Sequence, residues 1–80
     1  MSNQTAIKQA LAIVDAQHYA GAAQRVAVEA EGYLGLVGRG AQGWEAADML
    51  RRLADTRSDC IPGSLWRGLN RAADLAASVR

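Results

Sequence analysis

Phenylalanine is missing from this sequence, and cysteine, proline and histidine occur once each. The lone Cys60 cannot close an internal disulfide, so packing alone must hold the fold, and a reducing, cytoplasmic setting is the expectation. His18 and Cys60 supply two ligands where a zinc site needs three or four, and no metal or other cofactor is expected. With only Pro62 to interrupt it, most of the chain is free to be helical. No uncharged apolar run approaches the roughly 18 residues of a membrane span. Lys8 is followed by only a short apolar stretch before Asp15, unlike a secretory leader. An excess of charge is lacking too. The formal net charge is +1, where a dedicated nucleic-acid or polybasic membrane binder carries a marked basic surplus.

Alanine is what the sequence has in quantity. Half of the residues are apolar, but a buried alanine removes little area from water, whereas a buried leucine or isoleucine contributes roughly 1.5–3 kcal/mol. Eighty residues form one domain, 1–80, and so short a chain hides only about 60% of its unfolded surface. Association with a second copy would relieve the shortage, and a homodimer is expected. Charge is divided unevenly. Residues 1–38 carry two basic against three acidic groups, and residues 39–80 carry seven against five. Opposite signs on the two halves suit packing between them or against a partner.

Helical periodicity recurs along the chain. Ile7, Leu11, Val14 and His18 follow spacings of four, three and four, after the competent caps Ser2, Asn3 and Thr5. They predict a helix over 4–19 with His18 on its inward or boundary face, closed by Gly21. Val26, Ala30, Tyr33 and Val37 repeat the rhythm over 22–37. Gly32 and Gly35 inside that helix cost about 1 kcal/mol each relative to alanine, which implies a close neighbour or an early end near Glu31. Ala46, Leu50 and Leu53 mark a third helix from Gln42 or Gly43 to Thr56, with Asp48 and Arg52 paired at i,i+4. Ser64 is expected to cap a fourth, in which Leu65, Leu69, Ala72, Ala76 and Val79 run to the end. The only strand-like alternation lies at residues 33–37. The fold class is therefore all-α, a small four-helix bundle of two helical hairpins.

The glycine-rich stretch between the halves has the spelling of a dinucleotide loop, from Gly38 through Gly40 to Gly43, and it opens a helix. That chemistry requires a strand before the loop, another after the helix and an acid about 20 residues on. Asp59 has the spacing, but residues 57–62 do not read as a buried strand. The stretch is read as a joint. Neither a Cys60–His18 dyad nor the pairs of acids has a local catalytic signature, and no enzymatic activity is expected.

Surface recognition is the mechanism that remains. Eight of the nine basic residues are arginine, which meets carboxylates in a two-pronged fashion. Arginine and tryptophan also dominate interface hot spots. Trp66 lies one position off the inward stripe and is read as an anchor, and Trp44 as core. The expected partner-binding set is Arg39, Arg51, Arg52, Trp66, Arg67 and Arg71. Ile13, Val28 and Leu36 are large, apolar and off their stripes, and form the expected dimer seam. The reading is a small inhibitor or adaptor of a larger complex, of the accessory kind that phages and plasmids encode. The alternative is a nucleic-acid-associated dimer using the basic C-terminal half. A helix-turn-helix fits poorly, because the joint is long and the third helix carries Glu45, Asp48 and Asp55.

Overall fold

Among the described residues four α-helices follow in succession: α1 (Asn3–Ile13), α2 (Gly21–Gly38), α3 (Gly43–Thr56) and α4 (Gly63–Ala77). A computed structural model describes the backbone of residues 3–79 and the side chains of 4–79. Among the described residues there is no strand, and residues 33–37 lie within α2. Among the described residues no helix is long and apolar enough to cross a membrane. Each helix packs against its neighbours in sequence, and α4 also contacts α1 and α2. The Cα radius of gyration is 11.3 Å.

The first helix stops six residues earlier than its periodicity predicts. Asp15 is the cause: its carboxylate accepts the N–H of Gln17 at 3.0 Å. Side chain-to-backbone bonds of this kind compete with the helical ladder. The chain turns instead into a short 3-10 segment, Ala16–His18. Glu31 of α2 holds that segment, its carboxylate accepting the Ala16 N–H at 3.2 Å. His18 is consequently not an inward residue. Its side chain is 70% exposed, with Nε2 3.4 Å from the Asp15 carboxylate. Gly21 adopts a positive φ of 61°, but it opens α2 and does not close α1. Ser2 lies outside the described residues.

The joint between the halves is built from two glycines with separate jobs. Gly40 has a φ of 105°, which turns the chain back over the end of α2. The N–H of Gly40 bonds the carbonyl of Val37 at 3.2 Å and that of Ala41 bonds Leu36 at 3.0 Å. This double return is the Schellman cap, which satisfies carbonyls the helix leaves unpaired. Gly43 serves α4: a Cβ there would collide with the Ala76 carbonyl and crowd Val79. Gly32 and Gly35 have open space where a side chain would stand. Within the chain they permit no close approach, and α2 runs through them to Gly38.

A 3-10 segment, Ser58–Cys60, links α3 to α4. The expected Ser64 cap is not made. Pro62 takes the cap position, its carbonyl accepting the N–H groups of Leu65 at 3.0 Å and Trp66 at 3.1 Å, so Gly63 begins the helix. Val79 falls beyond the end of α4.

The core is thin. Its largest fully buried side chains are Val14, Leu34, Leu50, Leu65 and Leu69, and alanines fill most of the remaining positions. Alanine lets helix axes approach closely while hiding little area. Among the described residues no polar or charged side chain is buried. Ile13 is drawn partly into this packing, with Cγ2 3.2 Å from where a Cβ on Gly68 of α4 would lie.

Candidate protein interface

Both tryptophans of the chain stand at the surface. Trp44 is 65% exposed and Trp66 41%. The expectation that Trp44 belongs to the core fails for a geometric reason. Ala46, Ala47, Leu50, Leu53 and Ala54 define the buried side of α3, and residue 44 shares a strip with 48, 51 and 55, at helical spacings of four, three and four. That strip points along the seam with α4, because Arg51 donates from Nη2 to the Asp74 carboxylate at 2.6 Å. On α4, residues 66, 70 and 74 share one strip at spacings of four. The two tryptophans therefore flank the outer α3–α4 seam, one near each end, with the Arg51–Asp74 bridge between them.

Antiparallel packing explains the arrangement. Gly43 at the start of α3 sits against Ala76 and Val79 at the end of α4. Counting about 1.5 Å per residue from each tryptophan to the bridge puts Trp44 and Trp66 about 20 Å apart along the seam. Two anchors at that separation, with charge between them, span the centre of an ordinary protein interface.

Five of the six residues expected to bind a partner lie on these two helices. Arg51 bridges the seam, Arg52 donates from Nε to Asp48 at 3.2 Å, and Arg67, Arg71 and Trp66 are exposed on α4. Arg67 folds back toward the start of its own helix, its guanidinium lying beside Gly63. Arg39 is elsewhere. It is the C-cap of α2, ahead of α3, so the length of α3 separates it from the end where Trp66 and Arg67 stand. The bridges are not strong anchors of the fold, since both partners of each are substantially exposed.

The apolar residues expected at a dimer seam separate into two places. Val28, 56% exposed, and Leu36, 42% exposed, lie on the outer half of α2. Gly32 and Gly35 stand between them in sequence. Ile13 is half-buried over Gly68, which takes it off that patch.

Two acids have structural partners. Glu31 holds Ala16, and Glu29 accepts the Tyr33 hydroxyl at 2.9 Å. That bond, aided by partial burial and by the negative charge of Glu29, raises the Tyr33 phenol above its ordinary range. The glycine-rich joint lines a depression of about 520 Å³ at one end of the molecule, with Ile7, Lys8 and Val79 on its other sides. It is preceded by a helix, not by the strand that dinucleotide binding requires.

Sequence reasoning missed Trp44 and Met49 as exposed apolar groups. The available signal was their offset from the Ala46–Leu50–Leu53 stripe, which the weight usually given to tryptophan as core filling overrode. Comparison with protein-family models, with curated proteins and with solved structures found no match, so the functional reading rests on the geometry of this face.

Proposed function

We propose that this chain is a non-enzymatic protein-binding module that inhibits or adapts a larger complex through the outer α3–α4 face. The observation that carries the reading is the exposure of both tryptophans along one seam. Water is a poor environment for an indole, and a fold short of large core residues gains from burying one. Leaving both outside, in company with arginine, is the composition of a hot-spot cluster. The reading includes a cytoplasmic setting, an α1–α2 and an α3–α4 hairpin as the two halves, and self-association through Val28 and Leu36 on α2. The accessory inhibitors of phages and plasmids are the class of protein this reading points to.

The test is substitution on the face. Alanine at Trp44, Trp66 or Arg67 is expected to abolish capture of the physiological partner from source cells, with helicity by circular dichroism unchanged. Retained capture in all three variants removes the assignment. Titration with duplex DNA at two salt concentrations separates the alternative, because phosphate binding weakens steeply as salt rises.

A further inference from the structure

The opposite edge of α3 borders a concave surface distinct from the α3–α4 seam. Two depressions run along α2, one of about 200 Å³ against α3 and one of about 440 Å³ against Arg57 and Cys60 just beyond it; they share Glu29 and Arg57, so they form one furrow. Arg25 borders one depression, Arg52 the other, and Arg57 both. Arg25 and Arg57 make no ion pair among the described residues, and Arg52 is held by Asp48 on its own helix. Glu29 is the only acid in the lining among the described residues, and its carboxylate already accepts the Tyr33 hydroxyl. Two unpaired cations, beside the Arg52–Asp48 pair, therefore face one engaged anion. The floor is apolar: Leu53 is buried, Tyr33 half-buried, and Met49 is 40% exposed.

We propose that the α2–α3 furrow docks an acidic amphipathic helical segment of another protein. This goes beyond the tryptophan-flanked face, since Met49, Leu53 and Arg57 follow one another at spacings of four on the far side of α3 from residues 44 and 51. Charge complementarity identifies the occupant. Guanidinium groups bind carboxylates in paired hydrogen bonds, and an exposed methionine adapts to an incoming aliphatic side chain. The depressions are sized for side chains, which suits a helix lying across them with one face inserted. A nucleic-acid backbone would lay an unbroken row of phosphates past Glu29 and be repelled there. A peptide can place its acids over the arginines and an apolar residue over Glu29 and Tyr33. With both surfaces occupied, the chain would bridge two proteins.

The test uses the full chain and a synthetic peptide of about four helical turns with leucine on one face and glutamate on the other. Binding is read by anisotropy of the labelled peptide, and its location by an environment-sensitive dye on Cys60, the only cysteine, which lines the furrow. Saturable binding is expected, weakened roughly tenfold by Arg25→Ala with Arg57→Ala. The reversals Arg25→Glu and Arg57→Glu should transfer preference to the same peptide carrying lysine for glutamate. Both positions of change carry exposed side chains, and unchanged circular dichroism verifies the fold. No binding, equal affinity for the two peptides, preference for a DNA duplex, or indifference to the arginine variants would overturn the proposal. A Trp44→Ala, Trp66→Ala chain should bind the glutamate peptide as the parent does. Loss of binding there would also refute the furrow, whereas failure of the tryptophan face to bind its partner leaves the furrow's result standing on its own.

Discussion

Glycine shows how differently one residue type can act within a single chain. At Gly43 the missing side chain is a necessity, because the Ala76 carbonyl and Val79 occupy the space a Cβ would take. Gly43→Ala is therefore expected to lower unfolding stability in denaturant by about 2–3 kcal/mol. Gly32 and Gly35 have nothing within 4 Å of an added Cβ, so Gly32→Ala should raise monomer stability by about 0.5–1 kcal/mol through helix propensity alone. Opposite signs from one substitution type would confirm that only Gly43 is a packing glycine. Leu50 is wholly buried, and Leu50→Ala is expected to cost about 2–5 kcal/mol, enough to unfold so small a domain in part at ambient temperature. Tyr33 offers a titration test. The Glu29 bond favours the protonated phenol, so the folded-state pKa lies above the unfolded value, near 10. The contribution to stability is complete below about pH 10 and is lost as pH rises through the folded pKa. In a Tyr19→Phe background, ultraviolet absorbance should show Tyr33 ionising at higher pH than a free phenol. Glu29→Gln should move that titration downward, and no movement would refute the assigned cause.

At the level of elements, α3 and α4 were legible because their apolar residues keep strict helical spacing and their exposed faces carry charge. The i,i+4 pair of Asp48 and Arg52 forms as its spacing predicts, with 3.2 Å between Nε and Oδ2. The end of α1 was not legible. Leu11, Val14 and His18 continue a helical rhythm past Asp15, but a side chain that bonds its own backbone two residues on, with Glu31 across the gap, ends the ladder. Nothing local announces that Glu31 will be there. The start of α4 was misjudged by one cap, since serine is the better side-chain cap but the extended Pro62 already presents the first carbonyl. The Arg51–Asp74 bridge joins the two helices where both groups meet solvent. A double-mutant cycle is expected to give a coupling of about 1 kcal/mol or less, diminishing with salt.

For the whole molecule, exposed apolar area is the quantity with consequences. Val28, Leu36, Trp44, Met49 and Trp66 remain outside a core made chiefly of alanine. A chain with that distribution gains by association, and the proposed dimer places Val28 and Leu36 against a second copy. Light scattering after size exclusion is expected to give twice the chain mass at micromolar concentration, and Leu36→Arg to return it to the chain mass. A monomer before substitution would leave α2 free for another partner and remove self-association from the reading. Of the residues proposed for recognition, the four arginines and Trp66 on α3 and α4 could be selected from sequence because they lie off the apolar stripes. Their neighbours across the seam could not, because adjacency between α3 and α4 depends on which helix faces meet.

Periodicity, one proline and the scarcity of large apolar side chains were enough to determine helices, their approximate limits and a thin core. These are consequences of spacing along the chain, and spacing is local. Contacts between residues distant in sequence decided the rest: Glu31 ending α1 through Ala16, Ala76 requiring glycine at 43, and Ile13 settling over Gly68. Each depends on the distance and facing of two elements, which no single stretch of residues encodes.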